Sequence, residues 1–230
     1  MHPKLCFFDL EGTLFKKSYH AHGGREFASA WGALCAILGP EAEQEDARNR
    51  ERFYSNGYAR YSDWVVDTVR IHQKYGLSRS TFDEVIYSVD YHDGADQLLT
   101  TLASKGIRVA VISGGLKALA DRVATDHKVE HCFASAEYYW DVDGMLHHWN
   151  IMPTDFENKR HLAEMLCKDL GIAPEECLFV GDGLNDVAIA GYVGTSIAFN
   201  AHDDLKAVAT HTVNQEKGRE DLSFLLNYIP

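Results

Sequence analysis

Leu5-Cys6-Phe7-Phe8-Asp9-Leu10-Glu11-Gly12-Thr13 opens as an apolar run and stops at two carboxylic acids and a glycine. So short a run, with a turn signal behind it, reads as a buried strand ending in a tight loop. Strands apolar on both faces belong to parallel sheets covered by helices on both sides. Asp9 and Glu11 stand two residues apart, so an extended chain projects both to the same side.

The pattern recurs twice downstream. The β-branched run over residues 107–112 leads into Ser113-Gly114-Gly115, and the apolar run over 177–180 leads into Gly181-Asp182-Gly183-Leu184-Asn185-Asp186. Periodicity and punctuation predict helices over 95–104, 116–126, 158–170 and 184–191, with late helices over 203–209 and 221–228. They also predict strands over 132–135 and 195–199, and a hairpin over 137–149 turning at Asp143-Gly144. Strands alternating with helices define an α/β fold with a mostly parallel sheet. Residues 15–91 differ: they are rich in Ala, Arg, Glu and aromatics, with four expected helices over 28–38, 41–54, 62–75 and 81–88. The expected organisation is a core built from residues 1–14 and 92–230, carrying residues 15–91 as an inserted helical domain.

In open sheets of this kind, ligands bind beyond the carboxyl ends of the strands. All three polar motifs sit at such ends. One acid of the Asp9/Glu11 pair can attack while the other transfers a proton. Asp182 ends a separate strand, and Asp186 follows on the first turn of the next helix. Carboxylates gathered this closely repel one another unless a cation joins them, and an all-oxygen set suits Mg²⁺. Ser113 and the amides of Gly114 and Gly115 offer donors to a phosphate at the start of a helix. Lys159 falls where a lysine could neutralise the transferring group.

The totals narrow the function further. The 230 residues carry a net charge of −12, which disfavours nucleic acid and membrane surfaces as partners. A small phosphate ester remains compatible, because a bound cation reverses the local field. Five cysteines, without a CxxC pair and mostly in apolar runs, fit reduced thiols in the cytoplasm. No secretory leader and no membrane span is expected. The twelve histidines include the pairs His20/His22 and His147/His148, but neither has a cysteine or acid cluster at zinc spacing. Composition leaves a monomer and a homodimer equally open.

Taken together, the motifs resemble the haloacid-dehalogenase (HAD) superfamily of phosphatases and, within it, the phosphoserine phosphatases. Asp9-Leu10-Glu11-Gly12-Thr13, Val111-Ile112-Ser113-Gly114-Gly115, Lys159 and Val180-Gly181-Asp182-Gly183-Leu184-Asn185-Asp186 match its four motifs in order. The resemblance implies a Rossmann-like core whose helical cap is the insert. It implies Asp9 as nucleophile and Glu11 as acid/base, with Ser113, Gly114 and Lys159 on the phosphate. Mg²⁺ would be held by Asp9, the Glu11 main-chain carbonyl and Asp182, with Asn185 and Asp186 in its outer shell. The implied activity is Mg²⁺-dependent hydrolysis of a phosphomonoester through an aspartyl phosphate. Passing that phosphoryl group to an alcohol, or serving as a non-catalytic phosphate-binding module, are the alternatives. The hairpin bearing His147, His148 and Trp149 can overhang the site in this family.

Two features depart from the pattern. Glu11 stands where most members have Asp, with a reference pKa about 0.4 higher and one more methylene. Ser18 stands where phosphoserine phosphatases carry a glutamate for the substrate ammonium, and Arg70 or Thr68 stands where they carry an arginine for its carboxylate. Arg25, Arg52, Arg60, Tyr61 and Trp64 suggest a more anionic or more aromatic substrate.

Overall fold

The computed structural model describes residues 3–21 and 24–229. From the N-terminus come β1 (Leu5–Phe8), the antiparallel pair β2 (Tyr19–Ala21) and β3 (Arg25–Phe27), and then α1 (Ala30–Ile37), α2 (Pro40–Tyr54), α3 (Tyr61–Lys74) and α4 (Arg79–Ser88). Next are α5 (Ala95–Ser104), β4 (Arg108–Leu116), α6 (Lys117–His127), β5 (His131–Trp140) and β6 (Leu146–Ile151). The chain continues through α7 (Glu157–Leu170), β7 (Cys177–Gly181), α8 (Val187–Ala190), β8 (Thr195–Phe199), α9 (Asp203–Val208) and β9 (His211–Val213).

Seven strands form one sheet in the order β6-β5-β4-β1-β7-β8-β9, parallel except for β6. β1 occupies the middle because both its faces are apolar. Cys6 and Phe8 enter one hydrophobic cluster, with Leu98, Leu119 and Val180. Leu5 and Phe7 enter the other, with Leu162, Leu166 and Ile189. The two-residue alternation of a strand thus feeds two cores at once. Phe8 pairs with Val111 of β4 and with Val180 of β7. In that register the residues after all three strands emerge at one edge of the sheet. Among the described residues no helix is long and apolar enough to cross a membrane.

Several elements depart from the sequence-based expectation. The run over 132–135 and the first arm of the hairpin are one continuous strand, β5, since no turn residue interrupts Ala134-Ser135-Ala136. β4 runs on through Ser113-Gly114-Gly115 to Leu116, so those residues do not start a helix; α6 begins only at Lys117. The stretch after β7 is a 3₁₀ turn, Leu184–Asp186, before the short α8. Leu222–Tyr228 is likewise 3₁₀, with Asp221 capping it through the Ser223 amide. β9 is too short and polar to announce itself, and gains its place only by pairing with β8.

The insert contributes the β2–β3 pair, unforeseen in the sequence, and four helices with ordinary local causes. The Ser29 and Ser78 side chains cap α1 and α4, and Pro40 opens α2 where its missing N–H is harmless. Cys35 of α1 meets His72 of α3 at 3.2 Å, and His72 meets the Tyr138 hydroxyl of β5 at 2.7 Å, tying insert to sheet. Burial pushes His72 down to about 3, so the ring is neutral and serves as a polar peg.

Asp46 of α2 is 1% exposed, with the Arg50 Nε at 3.0 Å. Burial lifts its carboxyl from 3.8 to about 6, only partly opposed by Arg50. Because the folded pKa is the higher one, the folded state holds the proton longer. Stability is therefore lost as pH climbs from about 4 to about 6. Asp46→Asn should raise the unfolding temperature at about pH 8 and leave it nearly unchanged at about pH 4. Thermal melts at both values check this, and an equal effect at each would contradict it.

Candidate active site

Asp9 follows β1, its amide donating to the Val180 carbonyl of β7 at 3.0 Å. Asp182 follows β7, and Asp186 lies one 3₁₀ turn later. One oxygen from each of Asp9, Asp182 and Asp186 lies within 4.8 Å of the others, and all three residues are buried. Lys159 comes from the first turn of α7, on the far side of the sheet edge. Its ammonium, 0% exposed, donates to Asp9 Oδ1 at 2.8 Å and to Asp186 Oδ1 at 2.6 Å. The other Asp186 oxygen accepts the Asp182 and Gly183 amides at 3.0 and 2.9 Å. Both Asp186 oxygens are thus committed within the protein, so it orders the loop and the lysine around Asp9.

The glycines mark where acids need room. A Cβ on Gly114 would collide with the Asp155 carboxylate, and one on Gly115 would lie 2.8 Å from Glu11 Oε2. Gly12, at φ +89, would place a Cβ 2.6 Å from Asp182 Oδ2. Ser113 Oγ accepts the Gly115 amide at 3.1 Å, which leaves its own O–H free to donate to a ligand. Glu11 Oε1 accepts the Ala30 amide at the start of α1, at 2.9 Å. Burial pushes the Glu11 carboxyl up, against the pull of that amide.

The structure therefore brings Asp9, Glu11, Ser113, Gly114, Asp182 and Asn185 around one cavity of about 520 Å³, with Lys159 and Asp186 directly behind them. Among the residues there that sequence reasoning missed, two meet the acids directly. Asp155 accepts from Asn185 Nδ2 at 2.6 Å and so ties that side chain down; an acid just upstream of Lys159 was its only signal. Lys17 Nζ reaches Asp182 Oδ2 at 2.5 Å; in sequence it is one of two adjacent lysines and carries no motif.

Other candidates fall elsewhere. Arg70 pairs with Asp67 on the surface, and Thr68 is fully buried. Neither lines the cavity, nor does Ser18. Arg25, Arg52 and Arg60 pair with Glu43, Asp67 and Asp63. Tyr61 and Trp64 do line it. His147 and His148 are exposed on β6 and, like Trp149, line no part of it. His22 lies outside the described residues.

Asp9, Asp155, Asp182 and Asp186 are all buried. Against these four stand two ammoniums, Lys159 and Lys17. Burial drives the carboxyls of Asp155, Asp182 and Asp186 up despite those lysines. The imbalance and the all-oxygen donors fit a hard divalent cation such as Mg²⁺.

A mostly parallel sheet that assembles acids and a lysine around a cavity beyond its strand ends defines the class, a Rossmann-like α/β fold with its chemistry at the carboxyl edge. The chain matches the model for haloacid dehalogenase-like hydrolases over residues 3–194, and it belongs to that family. It is 26% identical over 227 residues to phosphoserine phosphatase of Saccharomyces cerevisiae, covering 98% of this chain and 68% of the relative. It is 29% identical over 141 residues to phosphoserine phosphatase of Archaeoglobus fulgidus, covering 61% of this chain but only 41% of that protein. Among solved structures, a phospho-aspartyl intermediate analogue of phosphoserine phosphatase shares the fold along the full length of both chains, with a TM-score of 0.77 at 22% identity.

Lys159→Met should leave Asp9 and Asp186 buried and unpaired, destabilising the fold by about 3–5 kcal/mol at neutral pH. Protonation relieves orphaned carboxylates, so the deficit should shrink as pH falls. Urea unfolding across a pH series measures both; a deficit independent of pH would show that packing, not charge, dominates.

Proposed function

We propose that this chain hydrolyses phosphate monoesters of small molecules in a Mg²⁺-dependent reaction, through a phosphoryl group carried on Asp9. The observation that supports it best is the double hold of Lys159 on Asp9 and Asp186. Lys159 engages Asp9 Oδ1, and Asp9 also lines the cavity. A carboxylate so held, lining the same cavity as Ser113, is poised as a nucleophile toward phosphorus.

In this reading Asp9 attacks phosphorus and the ester P–O bond breaks. Glu11 gives its proton to the departing alkoxide, and its raised pKa suits that role. Glu11, now ionised, takes a proton from water as the water attacks the aspartyl phosphate, releasing inorganic phosphate and restoring Asp9. Ser113 and the Gly114 main chain seat the phosphoryl oxygens, and Lys159 neutralises charge beside them. Asp9, Asp182 and the Glu11 carbonyl would hold Mg²⁺, which when bound draws charge from the phosphoryl group. Asn185 and Asp186 brace that set. The helical insert is read as the cap over the cavity. Five free cysteines support a reducing, cytoplasmic setting.

Asp9→Asn should abolish phosphate release while leaving the circular dichroism spectrum intact. Glu11→Gln should slow turnover by about 10²–10⁴-fold. The assay is phosphate release from a panel of phosphorylated metabolites, with Mg²⁺ and with EDTA, with and without added alcohol. Full activity in folded Asp9→Asn would remove the nucleophile assignment, and phosphate transfer to the alcohol at the expense of release would replace hydrolysis with phosphotransfer.

A further inference from the structure

The half of the cavity facing the insert has a chemistry of its own. Trp31, Phe53, Tyr61, Trp64 and Phe156 all line it, together with Asp9 and Ser113. Their rings form one connected set: Trp31–Trp64 at 5.7 Å, Phe53–Trp64 at 5.4 Å, Tyr61–Trp64 at 5.3 Å and Tyr61–Phe156 at 6.1 Å. Trp31 and Trp64 are buried and form the back wall, whereas Phe53, Tyr61 and Phe156 keep part of their surface open. Tyr61 also donates to the Gly114 carbonyl at 2.6 Å, which fixes this wall directly against the phosphate seat.

The charges point the same way. Among the described residues, the only charged side chains that the insert brings to the lining are Lys17 and Arg50, both cations. The acids that line the cavity, Asp9, Glu11, Asp155 and Asp182, sit at the phosphate end, where Lys159, the Ala30 amide, Asn185 and Lys17 already engage them. An ammonium on the substrate would meet no anion in the insert. A quaternary ammonium favours aromatic walls, but the insert brings no carboxylate to the lining to balance it, and its two cations there are held by Asp182 and Asp46. A flat uncharged ring gains ring-on-ring contact and pays no such penalty.

Phe156 adds an independent observation. Its backbone stands at φ +53 and ψ −125, a combination that normally calls for glycine. A bulky residue held there is a departure from local preference, and its ring is the one that closes the aromatic wall from the core side.

We propose that the substrate is a phosphomonoester whose alcohol bears a flat, uncharged aromatic group, and that Phe53, Tyr61 and Phe156 select it. This rests on the hydrolase reading above. The test compares kcat/KM for four esters that all leave as alkoxides, so that leaving-group acidity does not dominate: benzyl phosphate, ethyl phosphate, O-phosphoserine and phosphocholine, each with Mg²⁺. Benzyl phosphate should exceed each of the others by at least about tenfold. Phe53→Ala, and Phe156→Gly with its better-suited backbone, should each cut the benzyl-to-ethyl ratio by about 3–10-fold. Benzylphosphonate, which cannot be hydrolysed, should quench the tryptophan fluorescence of the wild type at lower concentration than methylphosphonate. Turnover of O-phosphoserine or phosphocholine equal to or above that of benzyl phosphate overturns this inference and leaves the hydrolase reading standing. So does an unchanged benzyl-to-ethyl ratio in both variants. Phosphate release from none of the four esters, with no selective quench by benzylphosphonate, overturns both.

Discussion

A buried ammonium between two buried carboxylates is the constraint on which the rest of this structure turns. Lys159 is wholly enclosed, and its charge could not survive there without Asp9 and Asp186. Those partners follow two neighbouring strands, Asp9 directly after β1 and Asp186 in the 3₁₀ turn after β7, whereas the lysine comes from a helix packed on one sheet face. The ion pairs therefore fix three elements relative to one another at one edge. Charge satisfaction on this scale contributes less to net stability than to geometry: it allows Asp9 one orientation. The same burial that makes the arrangement expensive in the absence of a partner keeps water from competing for it.

Around that pair, side-chain absence matters as much as side-chain presence. Gly12, Gly114 and Gly115 stand where a Cβ would run into Asp182, Asp155 and Glu11. The glycines of the second motif are thus explained by carboxylates converging from other segments, rather than by a helix start offering free amides. The Gly115 amide is in fact used by Ser113 Oγ. What this loop leaves free at the cavity is the Ser113 hydroxyl.

The three strand-tip motifs were legible because a central strand must be apolar on both faces, which makes its polar terminus conspicuous. Asp9 and Asp182 could be placed at one edge from that alone. Lys159 was named through the resemblance and its place at a helix start, not through a strand-end pattern; α7 begins at Glu157 after Phe156, whose backbone is unusual and which offers no capping side chain. Lys17 and Asp155 were invisible for a related reason. Each matters through a partner more than two dozen residues away, Asp182 or Asn185, and no local period encodes such a contact. The β2–β3 pair escaped notice because three-residue strands carry too little alternation to register. Arg50 lines the cavity where Arg70 was the nearest match by spacing, because α2 rather than the middle of α3 supplies the cationic side chain.

Glu11 links the two halves of the molecule. An aspartate there would be one methylene shorter; the glutamate spans the gap to the Ala30 amide, which begins the first helix of the insert. That amide, together with the positive end of the helix, favours the ionised carboxylate, while burial favours the protonated one. The Ala30 amide belongs to the insert, whereas the Asp9 charge that also favours the protonated form belongs to the core, so both parts of the chain act on this carboxyl. The aromatic wall is carried largely by the same helices, and Tyr61 anchors it to the Gly114 carbonyl. Under the proposed function, a leaving group against the wall would share the cavity with Glu11, which lines it too. On that reading, the recognition of the alcohol and the delivery of its proton would draw on one packing arrangement.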